Sequence, residues 1–125
     1  MKTIPLAKPL IGRMERRAVN RVLRSGMLAQ GPKVAEFESS FSKFVNDREC
    51  VAVNSGTSAL HLALLSLGIG PGDEVIVPSF TFAATANSVS LTGAKPIFVD
   101  VDRRTFNIDP VKIEEAITSK TRAIQ

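Results

Sequence analysis

The feature that most constrains the fold is the change of hydrophobic pattern within residues 51–64. Residues 51–53 read Val-Ala-Val, which favours a strand, whereas the leucines after Ala59 recur at helical spacing. The pattern changes around Gly56, where a residue without a Cβ lets the backbone turn sharply and pass close to a ligand. The segment therefore predicts a strand, a tight glycine turn and a helix.

The start of this predicted helix carries groups that suit a phosphate. Thr57 and Ser58 supply hydroxyls. The first-turn amides have no partner within the helix and lie at the positive end of its dipole. Serine and threonine are also ordinary helix caps, so the motif alone fits a capped helix equally well.

Helices and strands alternate along the rest of the chain. The pattern predicts five helices: one over residues 12–25, one that begins at residue 32, one that follows Gly56 and ends at about residue 67, one over 81–92 and one over 110–118. It predicts strands over residues 74–77 and 96–101 and a third that begins at residue 122. This order predicts an α/β fold with a parallel sheet and right-handed crossovers. Because Gln125 falls inside a predicted strand, we expect the natural domain to continue beyond it.

Composition limits the class of protein. The chain has 125 residues, 44% of them hydrophobic, and no apolar run of membrane-spanning length, so we expect a cytoplasmic protein that does not contact a membrane. A single cysteine excludes an internal disulfide. Cys50 and His61 form no recognisable metal motif, and we expect His61 to pack within its helix.

A basic helix face raises the alternative of a nucleic-acid partner. Arg13, Arg17, Arg21 and Arg24 share one face of the first predicted helix, and the formal net charge is +4. No tryptophan or tyrosine is present to stack on bases. We therefore interpret the face as solvated or as a subunit contact and expect no nucleic acid. The phenylalanines at helical spacing (Phe37, Phe41 and Phe44) and those near strand ends are expected to be buried.

Two carboxylates follow a predicted strand. Asp100 and Asp102 flank Val101, a pattern that admits a metal site or an acid/base pair. Because the sequence offers no further ligands nearby, strand termination and turn formation near Arg103 and Arg104 are the favoured interpretation.

Eight short blocks together resemble a known family. The two most specific are Ser-Gly-Thr-Ser-Ala-Leu-His at residues 55–61 and Gly-Asp-Glu-Val-Ile-Val-Pro-Ser at residues 72–79. In the same order with these lie Ser25-Gly26 with Gly31-Pro32, Phe37-Glu38, Thr81-Phe82, Gly93 to Pro96, Phe98 to Asp102, and Asn107 to Pro110. From Ile4 to Gln125 the sequence resembles the start of the DegT/StrS family of sugar aminotransferases, which use pyridoxal phosphate (PLP).

This resemblance implies a fold and a domain assignment. The expected fold is α/β, with the three-layer, mostly parallel sheet of the fold-type-I (aspartate aminotransferase-like) large domain, in truncated form. Residues 1–125 would form the N-terminal part of the PLP-binding large domain. Residues 1–32 would be an N-terminal helix and loop, and residues 33–125 the start of the sheet domain.

The resemblance also implies the cofactor contacts. Gly56, Thr57 and Ser58 would hold the phosphate of PLP, and Phe82 would stack on its pyridine ring, which we favour over burial in the core. The family's Schiff-base lysine and pyridinium-binding aspartate match no residue of this sequence. We therefore assign no catalytic residue and no metal ligand, and leave open whether this chain alone is an enzyme.

The function implied is that of the N-terminal fragment of an aminotransferase. The whole enzyme would transfer an amino group from glutamate to a nucleotide-linked keto sugar and would act as a homodimer. Two alternatives stay open: a sugar dehydratase of the same superfamily, and a noncatalytic truncated remnant. The sequence does not indicate which sugar or which carbon is the substrate.

Overall fold

The computed structural model describes residues 4–125 of the chain. The chain divides into two compact units, the first ending at Ala52 and the second spanning Val53–Gln125. Each unit is described by itself. Within residues 4–125, no helix has the length and apolar character needed to cross a membrane.

The first unit contains the helices α1 (Arg13–Ser25) and α2 (Pro32–Phe44). The Gly12 N–H donates to the Glu15 carboxylate over 2.6 Å, which caps the start of α1. Gly26, at φ 71°, ends that helix in the left-handed conformation that suits glycine. Pro32 occupies the first turn of α2, where its missing N–H costs nothing. The predicted starts of α1 and α2 and the predicted end of α1 are confirmed.

The aromatic residues of α2 form a stripe on its surface. The ring centroids of Phe37 and Phe41 are 5.9 Å apart, and those of Phe41 and Phe44 are 6.2 Å apart. All three side chains are nevertheless exposed, as are Phe80, Phe98 and Phe106 near the strand ends, so the expectation of burial is wrong for the part of the chain that the structure describes. Neither α1 nor α2 contains a buried residue. The physical reason is that these two helices form no closed core by themselves.

The second unit is an α/β sheet with helices. Its elements in chain order are α3 (Gly56–Ser66), β1 (Glu74–Pro78), α4 (Ala84–Leu91), β2 (Lys95–Val99), α5 (Pro110–Ala116) and β3 (Thr121–Ile124). The strands form one sheet in the order β2-β1-β3, and both pairings are parallel. The predicted parallel α/β arrangement is confirmed.

The central strand β1 carries the core. Val75, Ile76 and Val77 are each 0% exposed, because both edges of β1 are paired and both faces are covered. Leu64, Ile69, Val89 and Ala94 complete the main cluster with Val75 and Val77. Helix α3 packs against α4. The predicted buried strand is therefore confirmed and anchors the loops that follow it.

The strand predicted at residues 51–53 does not form. Val51 is 82% exposed, and no described strand pairs with this segment. The Ala52 N–H donates to the Glu38 carboxylate over 2.8 Å. A short apolar segment becomes a strand only when a neighbour accepts its backbone hydrogen bonds, and no neighbour is present among the described residues.

Three other boundaries differ from prediction by two residues or more. Helix α4 begins at Ala84, because residues 81–83 belong to the loop after β1, and α5 ends at Ala116. Val101 lies outside β2 and forms an isolated antiparallel bridge with Ile108. The cap predicted at Asp109 is confirmed, since its carboxylate accepts from the Val111 N–H over 3.0 Å.

Candidate functional site

The loops after β1 and β2 leave the same edge of the sheet, because the two strands are parallel and Pro78 pairs with Val99. The Ser79 N–H donates to the Val99 carbonyl over 2.8 Å. The Ser79 hydroxyl donates to Asp100 Oδ1 over 3.0 Å. Ligands gather at such an edge in open α/β sheets. The loop after β1 is therefore fixed to the end of β2 at this edge.

The loop after β2 turns tightly around Asp102. The Asp102 carboxylate accepts hydrogen bonds from the Arg104 and Thr105 N–H groups, at 3.0 and 2.8 Å, and from the Thr105 hydroxyl at 3.1 Å. These bonds, led by the one from the Thr105 N–H, lower the pKa of Asp102 because they favour the ionised carboxylate. The turn predicted here is confirmed, and Asp102 is its organising residue.

Two aromatic rings join these loops. The Phe80 and Phe106 ring centroids are 5.7 Å apart at an interplanar angle of 48°. Phe106 has φ 59°, a left-handed conformation that is rare for an aromatic residue, and its N–H donates to the Asp102 carbonyl over 2.8 Å. The ring contact is therefore a second connection between the loops after β1 and β2, in addition to the Ser79 to Asp100 hydrogen bond.

Phe82 projects from the end of the β1 loop. Its carbonyl accepts from the Thr85 N–H over 3.0 Å, and α4 begins at Ala84. The side chain is 80% exposed, so within residues 4–125 it is not part of a core. Its ring is accessible to a flat ligand, and its stacking role stays a prediction.

The start of α3 is a capped helix. Ser55 is the N-cap, and its hydroxyl oxygen accepts from the Ser58 N–H over 3.1 Å. Gly56 is the first helical residue and does not have a positive φ, so no left-handed turn requires glycine there. A Cβ added to Gly56 would meet no atom within 4 Å. What this glycine provides is open space above the first turn of the helix.

Three donors at this helix start have no protein partner. Across residues 4–125, no oxygen accepts from the Gly56 or Thr57 N–H, and the Thr57 hydroxyl makes no hydrogen bond. Two amides and a hydroxyl at the positive end of a helix dipole are the donors that bind a phosphate dianion. The residues present therefore fit a phosphate group.

Ser58 differs from its neighbours, because both of its polar groups are engaged. Its N–H is bound by Ser55, and its hydroxyl donates to Asn54 Oδ1 over 2.8 Å. Asn54 was not among the predicted site residues. Its spacing of four residues from Ser58, directly before the cap, is the signal that would have identified it.

The sequence-predicted residues occupy two places in the second unit. Gly56, Thr57 and Ser58 lie at the start of α3, and Phe82 lies just before α4, the helix against which α3 packs. No hydrogen bond in the described structure links residues 54–58 to residues 79–82. His61 lies within α3 and is half-buried, as expected of a helix residue. The described residues contain no group of three His, Cys, Asp or Glu side chains that could hold a metal ion.

Comparison with known proteins gives a consistent result. Residues 9–125 match the model of the DegT/DnrJ/EryC1/StrS aminotransferase family. The chain is 53% identical over 121 residues to the spore coat polysaccharide biosynthesis protein SpsC of Bacillus subtilis, covering 97% of this chain. It is 50% identical to the UDP-2-acetamido-2-deoxy-3-oxo-D-glucuronate aminotransferase of Pseudomonas aeruginosa, covering 85% of this chain.

A solved structure agrees with the sequence comparisons. The pyridoxamine phosphate (PMP) form of Spr1654 from Streptococcus pneumoniae superposes with a TM-score of 0.91 at 41% identity, covering 98% of this chain and 31% of that one. The predicted fold class is thereby confirmed. The chain spans 31% and 30% of the lengths of the two curated relatives.

Proposed function

Because the chain belongs to the DegT/DnrJ/EryC1/StrS aminotransferase family, we propose that it forms part of a PLP-dependent enzyme that aminates a nucleotide-linked keto sugar. The observation that carries this proposal is the family match over residues 9–125, joined to the unpartnered donors of Gly56 and Thr57. The relative from Pseudomonas aeruginosa, which acts on a UDP-linked 3-oxo sugar acid, supports this substrate class.

The described residues would bind the cofactor at two points. Gly56, Thr57 and Ser58 would hold its phosphate at the positive end of α3, and Phe82 would stack on its ring. When bound, the cofactor supplies a carbonyl group and an electron-withdrawing ring for moving an amino group between an amino acid and a keto sugar. The chain's own contribution is to bind and orient these two parts of the cofactor.

The fixed loops support the second contact. The Ser79 hydrogen bond to Asp100 and the ring contact between Phe80 and Phe106 hold the residues just before Phe82. On binding a flat ligand, a ring on a fixed backbone loses less conformational entropy than a ring on a mobile backbone does. These contacts therefore pre-organise the stacking surface.

The proposal extends to the assembly and the donor. Residues 1–125 form the N-terminal part of a PLP-binding large domain, with residues 1–32 before the sheet domain and residues 33–125 beginning it. The enzyme is a cytoplasmic homodimer and takes its amino group from glutamate. It makes no use of nucleic acid, a metal or a membrane.

The proposal is tested by following nitrogen. The enzyme of which this chain is proposed to form part is purified and incubated with PLP, nitrogen-15-labelled glutamate and a UDP-linked 3-keto sugar, and the sugar is analysed by mass spectrometry. A labelled amino sugar is the expected product. A sugar that has lost water without gaining label would instead indicate a dehydratase. Unchanged sugar, together with cofactor binding, would indicate a noncatalytic remnant.

A further inference from the structure

With Asn54 Oδ1 facing Ser58, the hydrogen bonds around Ser58 have only one consistent direction. The Ser58 hydroxyl donates its single hydrogen to Asn54 Oδ1, an oxygen that can only accept. The Ser55 and Ser58 hydroxyl oxygens are 2.9 Å apart. Since the Ser58 hydrogen is already used, Ser55 must be the donor in that contact. The hydroxyl hydrogens therefore run from Ser55 to Ser58 to Asn54.

This direction leaves Ser58 unable to assist an anion. Both serine hydrogens are committed within the chain, so Ser58 presents only lone pairs, which repel a phosphate dianion. Its N–H is held by the Ser55 cap as well. In this arrangement the helix start offers only the amides of Gly56 and Thr57 and the hydroxyl of Thr57 to an anion.

The carboxamide of Asn54 can reverse the direction of its hydrogen bond with Ser58 by turning in place. Its side chain is exposed, and its Nδ2 makes no hydrogen bond to residues 4–125. Turning the carboxamide by half a rotation exchanges Oδ1 and Nδ2, which have almost the same shape. The 2.8 Å contact suits an N–H donor as well as a hydroxyl donor. Nδ2 would then donate to the Ser58 oxygen, and water would solvate Oδ1.

We propose that Asn54 controls the Ser58 hydroxyl: its carboxamide holds the hydroxyl hydrogen in the free protein and turns over when the cofactor phosphate binds, which releases the hydroxyl to donate to the phosphate. The inference rests on the proposed function, because the ligand is that cofactor. In the turned state the Ser58 oxygen accepts from Ser55 and Asn54 and donates to the phosphate, so every hydroxyl hydrogen has an acceptor.

The phosphate supplies the driving force. A hydroxyl bond to an ionised oxygen is stronger than one between neutral groups, so the dianion binds the turned state more tightly. A ligand shifts an equilibrium by its difference in affinity for the two states. Turning the carboxamide only decides whether Oδ1 or Nδ2 of Asn54 faces the solvent. The free-energy cost of the turn therefore opposes phosphate binding only weakly.

The test measures PMP and pyridoxamine binding by titration calorimetry. Neither ligand carries an aldehyde that could react with lysines, and they differ only in the phosphate. Ser58→Ala removes the released hydroxyl and is expected to weaken PMP binding about tenfold. Asn54→Asp has the shape of asparagine but only accepts, so it holds the Ser58 hydrogen and is expected to weaken PMP binding by at least as much. Pyridoxamine binding should stay unchanged in both variants.

Two further variants separate the release of the Ser58 hydroxyl from the negative charge that Asn54→Asp introduces. Asn54→Ala cannot retain the Ser58 hydrogen and is expected to bind PMP within about threefold of the original protein. In the Ser58→Ala background, Asn54→Asp retains only its charge repulsion, which salt screens, and should cost about threefold or less. Equal losses from Asn54→Asp with and without the Ser58 hydroxyl would overturn the inference. A loss in Asn54→Ala as large as that in Ser58→Ala would do the same.

A second readout observes the carboxamide directly. In nitrogen-15 NMR spectra, PMP should shift the Asn54 side-chain amide protons and slow the solvent exchange of one of them, and pyridoxamine should not. Unchanged Asn54 signals alongside phosphate-dependent binding would overturn the turnover alone. Equal binding of PMP and pyridoxamine to the original protein would overturn the proposed cofactor site and this inference together.

Discussion

The hydroxyl of Ser79 donates to Asp100 Oδ1 over 3.0 Å, joining residues that lie 21 positions apart. Ser79 follows β1 and Asp100 follows β2, so the bond connects the carboxyl ends of two parallel strands. It fixes the first residue of the loop that carries Phe82. Two exposed polar side chains thus determine where the proposed stacking surface begins.

Loss of this bond should lower stability. Ser79→Ala is expected to reduce the free energy of unfolding by about 0.5–1 kcal/mol, the lower part of the range for a hydrogen bond, because both partners are exposed. Urea unfolding followed by circular dichroism measures the change. Ser90→Ala is the matched control, since the Ser90 hydroxyl bonds only to Ala86 within α4. Equal effects of the two substitutions would contradict the prediction.

Phe82 should matter for binding and not for folding. Because its side chain is 80% exposed, Phe82→Ala is expected to change the free energy of unfolding by less than about 0.5 kcal/mol. Pyridoxamine binding should weaken about two- to tenfold, since an aromatic stack contributes about 0.5–1.5 kcal/mol.

Two controls accompany this substitution in the same titrations. Phe82→Tyr should restore binding, because it restores the ring. Phe98→Ala removes another exposed ring, on β2, and should leave pyridoxamine affinity unchanged. Unaltered pyridoxamine affinity in Phe82→Ala would exclude the stacking role.

Asp102 should contribute stability that depends on pH. Its pKa is lowered by the Thr105 and Arg104 N–H groups, so the folded state holds the Asp102 proton less tightly than the unfolded state does. The contribution is therefore complete above the ordinary pKa and is lost as the pH falls through the lowered one. The stability difference between the original protein and Asp102→Ala should be largest at neutral pH and shrink as the pH falls below the ordinary aspartate pKa of about 4.

Urea unfolding at several pH values follows this difference. Ser90→Ala, which changes no titratable group, serves as the control in the same unit. Its stability difference from the original protein should not show the acid loss expected for Asp102. A difference for Asp102→Ala that stays constant between neutral and acid pH would show that the turn does not depend on the ionised carboxylate.

Two glycines, Gly72 before β1 and Gly93 before β2, separate backbone strain from steric overlap. Gly72 and Gly93 have φ of 95° and 86°. An added Cβ would meet no atom at Gly72 but would lie 2.9 Å from Pro71 Cγ at Gly93. Gly72→Ala is expected to cost about 1–2 kcal/mol of unfolding free energy from strain alone.

Gly93→Ala should cost more, because overlap with the Pro71 ring adds to the strain. Thermal unfolding of both variants gives the comparison, and Gly72→Ala supplies the strain contribution to subtract. A smaller loss for Gly93→Ala than for Gly72→Ala would show that the Pro71 ring moves away without cost.

Much of the second unit could be predicted from local pattern. Continuous apolar residues identified β1, Asp109 and Pro110 identified the cap and the first residue of α5, and small polar residues identified the start of α3. The cap signals work because a helix cap is set by residues that are neighbours in the sequence. The strand expected at residues 51–53 failed because strand formation depends on a partner that local sequence does not name.

The sequence by itself determined the family, the α/β order and the residue types at the start of α3, since these follow from motifs and hydrophobic period. Only the tertiary structure decided that Ser79 bonds to Asp100, that Phe80 contacts Phe106, and that Phe82 is exposed. It also showed that Asn54 holds the Ser58 hydroxyl. The physical reason is that a hydrogen bond or ring contact depends on distance and donor direction, which are fixed only when the chain has folded.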